Sequence, residues 1–412
     1  MEYEEALSYI HSIPKFVRPL GNAALGGLLK SLGEPQKRLK FVHIAGTNGK
    51  GSAAAIISAA LCRAGYKTGL FTSPFIEVFN ERIQINGKNI ADDELALYTE
   101  RIRAASEAGG FSVSEFAFIT ALAFLYFKEK GCDIVVLETG MGGRLDATNI
   151  IDCPLVSVIM SISFDHMQYL GNTIEEIAAE KCGIIKKGGI AVAYANKGAA
   201  MRVIEEYAEK AGAKLIRAGS TEPADGGFIY KGKKYPLALN GAYQPDNAAA
   251  ALETLWALRP LGINISDGDI LCALSEVKWM ARFEFVAGNV VIDGGHNIDG
   301  IRALVRSLEL DGRRVIAVAA MMEDKSCAEC AAELSKAVDY VIATELDMAR
   351  CLKADELLKY FTASGEAAPN PRAALEKAFE LADENTLICV CGSLYLAGEI
   401  RKMFHAKGLP PL

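Results

Sequence analysis

From Leu39 onward the chain alternates short apolar runs with longer stretches in which apolar residues recur every three or four positions. Such an alternation is the sequence form of βαβ units and a largely parallel sheet, so it restricts the chain to α/β architecture. The runs predict strands over 41–45, 68–72, 134–138, 156–161 and 190–193, and the periodic stretches predict helices over 52–64, 92–108, 114–129 and 201–211. Helices are expected on both faces of this sheet. Residues 228–239 predict a small hairpin turning at Lys-Gly-Lys-Lys, followed by a helix over 244–258.

A second alternation begins at Val290, after a less regular stretch over 277–289, with strands expected over 290–293, 315–320, 340–344 and 387–390. Its helices are expected over 299–309, 328–337, 372–382 and 393–404. At 412 residues the chain exceeds the roughly 250–300 residues at which single cores stop growing. Two domains are expected, 1–284 and a smaller 285–412.

Hydrophobic residues make up 51% of the chain and charged residues 23%, an ordinary globular balance that speaks against disorder. The net charge of −7 gives no electrostatic reason to expect nucleic acid or an anionic membrane as partner. The N-terminal Met1-Glu-Tyr-Glu-Glu lacks the pattern of a signal peptide, and no apolar run approaches the roughly 18 residues of a membrane span. A cytoplasmic location is therefore expected. Ten cysteines lack the spacing of a disulfide framework, and Cys327, Cys330, Cys389 and Cys391 fit buried small hydrophobes better than zinc ligands.

The sharpest local feature is Gly46-Thr47-Asn48-Gly49-Lys50-Gly51-Ser52, placed directly after an apolar strand and before a helix. Glycines let backbone N–H groups converge on phosphate oxygens, the helix N-terminus adds its dipole, and Lys50 supplies a point charge. ATP is the natural ligand. The loop departs from a strict Walker A pattern, since Ile44 stands where the first glycine would be and Gly51 separates the lysine from Ser52.

Open α/β sheets place ligands at the carboxyl ends of their strands. There, Glu138 opens the glycine-rich Thr-Gly-Met-Gly-Gly, and His166 follows Asp165 just past the fourth strand. A carboxylate and an imidazole beside bound triphosphate suit Mg²⁺, although a nitrogen ligand is unusual for that ion. On charge pattern alone Lys181 reads as a solvated lysine. In the second domain, Asp293-Gly-Gly-His296-Asn repeats the theme of strand end, glycine pair and titratable group.

These segments resemble the folylpolyglutamate synthase and dihydrofolate synthase enzymes within the Mur-ligase superfamily. The resemblance is carried by His43-Ile-Ala-Gly-Thr-Asn-Gly-Lys-Gly-Ser52, Thr72-Ser-Pro-Phe75, Phe79-Asn-Glu-Arg-Ile83 and Glu138-Thr-Gly-Met-Gly-Gly-Arg-Leu-Asp-Ala-Thr-Asn149. It continues through Asp165-His166, Glu180-Lys-Cys-Gly-Ile-Ile185, Asp293-Gly-Gly-His-Asn297 and Gly392-Ser-Leu-Tyr-Leu396. It implies a P-loop ATPase domain of Mur-ligase central type, then a Rossmann-like domain, with ATP and the acceptor between them.

The resemblance also implies roles. Lys50 and its loop would hold the β- and γ-phosphates, while Ser73, Glu138 and His166 would bind Mg²⁺. Lys181 matches a lysine that carries a carbamate in the family and would help hold a second Mg²⁺. Gln244, Asn247, Arg282 and Asp293 match ATP-contacting positions, with His296 beside them. Arg82, Leu145, Asp146 and Ala147 match positions near the pterin-bearing acceptor. Lys50, Lys181, His166, Asp293 and His296 are thus the expected catalytic set.

Three segments depart from the family pattern. Gly-x-His-Gln becomes Gly241-Ala-Tyr243-Gln244, Pro-Gly-Arg-x-Glu becomes Met280-Ala-Arg282-Phe-Glu284, and Leu-Gly-Leu-x-Arg-Ile becomes Leu20-Gly-Asn-Ala-Ala-Leu. The last weakens the expectation of dihydropteroate as a second substrate.

The implied reaction is ATP-dependent amide ligation of L-glutamate to a folate-type acid through an acyl phosphate. Separately, a monomer is the default expectation. A carboxylate must be activated before an amine can displace its oxygen, and phosphoryl transfer supplies that activation. Competing readings are another Mur-type ligase acting on a cell-wall precursor, and a non-catalytic P-loop module.

Overall fold

The protein is a computed structural model in which residues 1–17, 21–323 and 325–405 are described. Leu20, which opens the third departing segment, lies outside the described residues. Two compact units emerge, Met1–Leu237 with Pro245–Val277, and Ala238–Gln244 with Lys278–Leu412. The chain therefore divides at 277/278 rather than after 284, with a short earlier segment also belonging to the second unit.

The first unit is built on eight strands: β1 (Phe41–Ala45), β2 (Thr68–Phe71), β3 (Ile83–Ile85), β4 (Lys88–Asn89), β5 (Ile134–Glu138), β6 (Val156–Ile159), β7 (Ile190–Ala193) and β8 (Lys214–Arg217). Their order is β4-β3-β2-β5-β1-β6-β7-β8. Pairing is parallel from β2 through β8, and antiparallel where β3 and β4 extend the edge. Every residue of β1, β2, β5 and β6 is buried. Parallel strands covered on both faces need this, which is why they read as unbroken apolar runs.

The order places the ligand site before any side chain is considered. From β1 the chain crosses past β5 to reach β2, whereas from β5 it crosses past β1 to reach β6. Neighbouring strands whose connections leave in opposite directions open a crevice at their carboxyl ends. Gly46 and Thr139 are the first residues beyond those two ends.

Helix Glu115–Glu129 is buried without interruption from Ala117 to Phe127, and anchors the larger core with Phe118, Phe124 and Phe127. Ser114 starts it by accepting a hydrogen bond from the N–H of Ala117 at 3.3 Å. The expected hairpin is present as β10 (Gly227–Tyr230) and β11 (Lys233–Pro236), with β9 (Glu222–Ala224) added on the far side of β10. Tyr230 ties it to helix Gln244–Leu258 by donating its hydroxyl to the buried Glu253 at 2.6 Å.

The second unit holds a six-stranded sheet of β12 (Glu284–Ala287), β13 (Val290–Ile292), β14 (Arg314–Ala319), β15 (Tyr340–Thr344), β16 (Ser364–Ala368) and β17 (Thr386–Cys391), in the order β12-β13-β17-β14-β15-β16. Only the β12–β13 pair is antiparallel. That pairing draws part of the irregular stretch before Val290 into the second sheet. Cys327, Cys330, Cys389 and Cys391 pack together in this unit's core as free thiols.

Candidate active site

The helix after β1 runs Lys50–Arg63 and so starts two positions earlier than the expected 52–64, which puts Lys50 in its first turn. Gly49 makes that start possible. Its φ of +83° lies in the left-handed region, and an added Cβ would sit 2.3 Å from the Oδ1 of Asn247. Asn247, at the start of helix Gln244–Leu258, thereby lies against this loop. The loop is braced on its other side, where Thr47 donates its N–H to the carbonyl of Ser161 at 2.6 Å and its hydroxyl to the carbonyl of Ser163 at 3.0 Å. Asn48 adds a bond from Nδ2 to Ser163 Oγ at 3.4 Å.

Glycine at position 49 is therefore required twice over, by backbone and by space. A Gly49→Ala variant is expected to weaken ADP binding about tenfold or more, because left-handed alanine costs about 1–2 kcal/mol and the loop must also move off Asn247. Calorimetric titration with ADP checks this; unchanged affinity would contradict the assignment of the loop.

Lys50 sits 3.8 Å from Glu138 and donates to the carbonyl of Thr47 at 3.1 Å. Glu138 ends β5, is 4% exposed, and stands opposite Ile44 in the sheet register. Its Oε2 accepts the N–H of Ser73 at 3.3 Å, which brings the Thr72-Ser-Pro turn to the same strand end. The hydroxyl of Ser52 is buried and finds no hydrogen-bond partner among the described residues. An orphaned hydroxyl on the first turn of the helix, which also carries Lys50, suits a phosphate or its counter-ion.

Lys181 is the largest correction to the residue-level reading, which had it solvated. It is 3% exposed, and its Nζ donates to the carbonyl of Gly46 at 2.9 Å. Burial, with Lys50 nearby, pulls its pKa down to about 7. Helix Ile174–Cys182 explains the placement, since Ile177, Ala178, Lys181 and Cys182 form its buried stripe. Position 181, one turn beyond Ile177, was the available signal.

His166 begins a short helix with a left-handed φ of +49°, and its side chain is 40% exposed with Nε2 4.0 Å from Asp165. Among the described residues no group of three or more His, Cys, Asp or Glu is arranged to hold a metal ion. The expected set of Ser73, Glu138, His166 and a carbamate on Lys181 contains only two residues of those types. It fits a Mg²⁺ that keeps several waters and takes phosphate oxygens as its other ligands.

Near the expected acceptor positions, the Arg82 guanidinium lies over the rings of Phe75 and Phe79, 5.4 Å from each centroid. Leu145 is exposed, whereas Asp146 and Ala147 are buried. The Asp146 carboxylate is directed into its own loop rather than outward. Thr148, which lies within the same family motif, donates its hydroxyl to that carboxylate.

In the second unit Asp293 follows β13 and is 2% exposed. It accepts hydrogen bonds from the hydroxyl of Tyr243 at 2.5 Å, from Phe283 N–H at 2.9 Å and from Gly295 N–H at 2.7 Å. Burial raises its pKa while these donors oppose the shift. Tyr243, which stands where the family pattern has histidine, thus holds the carboxylate directly. Gln244 and Arg282 belong to the same unit, and His296 Nδ1 lies 2.8 Å from the carbonyl of Gly294. Arg282 is flanked by Ala281 and Phe283, both left-handed at φ +53° and +48°. Such strain is held where surrounding structure over-determines the backbone.

Residues 44–254 match the family model described as Mur ligase middle domain, and 281–394 match that of Mur ligase, glutamate ligase domain. The chain is 34% identical to the dihydrofolate synthase/folylpolyglutamate synthase of Bacillus subtilis, over 97% of this chain and 98% of that protein. Escherichia coli FolC in complex with DHPP and ADP superimposes with a TM-score of 0.90 at 29% identity, covering 99% of this chain and 98% of that one. The bifunctional folylpolyglutamate synthase/dihydrofolate synthase of Yersinia pestis, complexed with AMPPNP and a Mn ion, also gives 0.90 at 29% identity, covering 98% of each chain. The chain belongs to the folylpolyglutamate synthase/dihydrofolate synthase family of Mur ligases.

Proposed function

We propose that this chain is an ATP-dependent ligase that forms an amide bond between L-glutamate and a folate-type carboxylate. The observation that carries the reading is Lys50 standing 3.8 Å from the buried Glu138 at the carboxyl ends of β1 and β5, with the Ser52 hydroxyl, unpartnered among the described residues, on the same helical turn as Lys50. Family membership supplies the reaction class. Tetrahydrofolate is the proposed acceptor, with dihydropteroate as a second.

The acceptor carboxylate attacks the γ-phosphate of ATP to give an acyl phosphate and ADP. The α-amine of glutamate then adds to that carbonyl, and inorganic phosphate leaves. Lys50 and the loop Gly46–Ser52 orient and neutralise the phosphoryl group in transfer. Magnesium supplies charge neutralisation on the phosphates, for which Ser73, Glu138, His166 and Lys181 as a carbamate are the proposed ligands. The Mn ion in the relative from Yersinia pestis supports a divalent metal. Gln244, Asn247, Arg282, Asp293 and His296 are proposed as further nucleotide-side groups, and Arg82, Leu145, Asp146 and Ala147 as acceptor-side groups.

Carbamylation suits the surroundings of Lys181. Only the neutral amine attacks carbon dioxide, forming an N–C bond and releasing a proton, and a pKa of about 7 leaves much of the amine neutral at physiological pH. The product is an anion where an ammonium would repel both Lys50 and a metal.

Incubating the protein with Mg²⁺, ATP, glutamate and tetrahydrofolate should release phosphate only when glutamate and acceptor are both present. Dihydropteroate and a UDP-linked muramyl acid, tested in parallel, define the acceptor. Turnover with the muramyl acid alone would refute the folate reading. Phosphate release that ignores both co-substrates would refute ligation.

A further inference from the structure

Between Glu138 and the helix that carries Lys181 lies a buried chain of three polar side chains. His43, in the middle of β1, is fully buried, with Nε2 2.8 Å from the Thr148 hydroxyl. That hydroxyl donates its single proton to Asp146 Oδ1 at 2.5 Å. The His43–Thr148 bond must therefore run from Nε2–H to the Thr148 oxygen, which fixes the imidazole as the Nε2–H tautomer. Its Nδ1 is then a bare acceptor with no partner among the described residues.

Asp146 completes the lock. It also receives the N–H of Thr148 at 3.0 Å and the N–H of Met141 at 2.9 Å, so one carboxylate clamps both ends of the turn after Glu138. The turn is pressed against the end of the Lys181 helix. A Cβ on Gly143 would lie 2.7 Å from the carbonyl oxygens of Glu180 and Lys181, and Arg144 donates its N–H to Glu180 O at 2.7 Å. Any shift of this turn moves the backbone of residue 181.

We propose that His43, Thr148 and Asp146 act as positioning residues that hold Glu138 and Lys181 in register by locking the loop between them. The inference rests on the ligase reading, because those two residues are its proposed metal-binding groups. It gives Asp146 a loop-holding task beside its expected place near the acceptor, and it gives a task to His43, which no step of the chemistry uses. Burial that pushes the His43 pKa down to about 3 keeps the imidazole neutral, as a fixed donor requires.

Thr148→Val removes the hydroxyl while keeping the shape, and Thr148→Ser keeps the hydroxyl. The valine variant is expected to lose about tenfold or more in kcat, since small displacements of reacting groups cost that much. KM for ATP and the Kd for ADP should stay within about twofold of wild type, because the substitution changes no residue of the Gly46–Ser52 loop. The serine variant is expected to recover most of the kcat. His43→Leu is a second probe that deletes the donor without leaving an orphaned buried ring nitrogen. It should show a smaller loss of the same kind, so the test stands even where the valine variant folds poorly.

Wild-type kcat in both Thr148→Val and His43→Leu overturns the inference. Parallel losses of kcat and ADP affinity that serine does not restore overturn it too, as they mark a structural role only. Wild-type protein assayed alongside separates the readings: no ligation there counts against the ligase assignment, whereas ligation in the wild type and undiminished ligation in the variants counts against the positioning chain alone.

Discussion

Lys50→Ala is expected to lower ligation by roughly 10³-fold or more, the scale on which charge-stabilising groups in phosphoryl transfer act, which is about 4 kcal/mol of transition-state stabilisation. Glu138→Gln should fall by a similar factor while requiring far more Mg²⁺ for half-maximal rate. The two side chains lie 3.8 Å apart at the ends of the central strands, and Glu138 is 5% exposed at its side chain. Removing the lysine leaves a buried carboxylate without its cation, so Lys50→Ala should also lose some stability. Glu138→Gln avoids that problem. Steady-state phosphate release, with thermal unfolding as a control, checks both; turnover within tenfold of wild type in either folded variant would contradict the role assignment.

The second large effect concerns Lys181. Lys181→Ala is expected to reduce kcat by roughly 10²–10³-fold, because the site loses an anion able to hold metal beside the phosphates. A short carboxylic acid such as acetate, added in quantity, should restore part of the rate by standing in for the carbamate. In the wild type, the direction with pH is set by the amine. Its pKa is lowered from the usual lysine value to about 7, so it is neutral and open to carbon dioxide above that pH and protonated below it. Activity in buffer stripped of carbon dioxide should therefore fall most steeply below about pH 7 and recover on adding bicarbonate. A rate indifferent to bicarbonate at every pH, or an alanine variant as active as wild type, would show that the lysine works as an amine or not at all.

Why some of this was legible in the sequence and some not follows from what each element buries. The inner parallel strands β1, β5 and β14 are covered on both faces, so their apolar runs stand out. Edge strands carry weaker signals. The strand β16 is Ser-Gly-Glu-Ala-Ala, held in place by pairing with β15 rather than by β propensity. The β3–β4 hairpin did leave a mark that the reading passed over, since Asn86-Gly87 takes the two left-handed positions, at φ +51° and +73°, that a tight hairpin turn prefers.

The site divides along the same line. The phosphate loop, Glu138 and Asp293 lie at strand ends, where topology alone predicts ligand contact. Lys181 could not be told from a solvated lysine by its charged neighbours, and only its place on the apolar stripe of its helix distinguishes it. The Thr148 relay depends on contacts between residues 105 positions apart in the chain, which no local pattern encodes. Tyr243 shows the opposite case, a departure from the family pattern whose hydroxyl still serves Asp293.

The most direct test of the whole account is anomalous diffraction from crystals grown with Mn²⁺ and a non-hydrolysable ATP analogue. Terminal phosphates are expected in the Gly46–Ser52 loop within reach of Lys50, with a manganese peak on the side of Glu138 and Ser73. A nucleotide bound elsewhere, or manganese with no contact to Glu138, would contradict it.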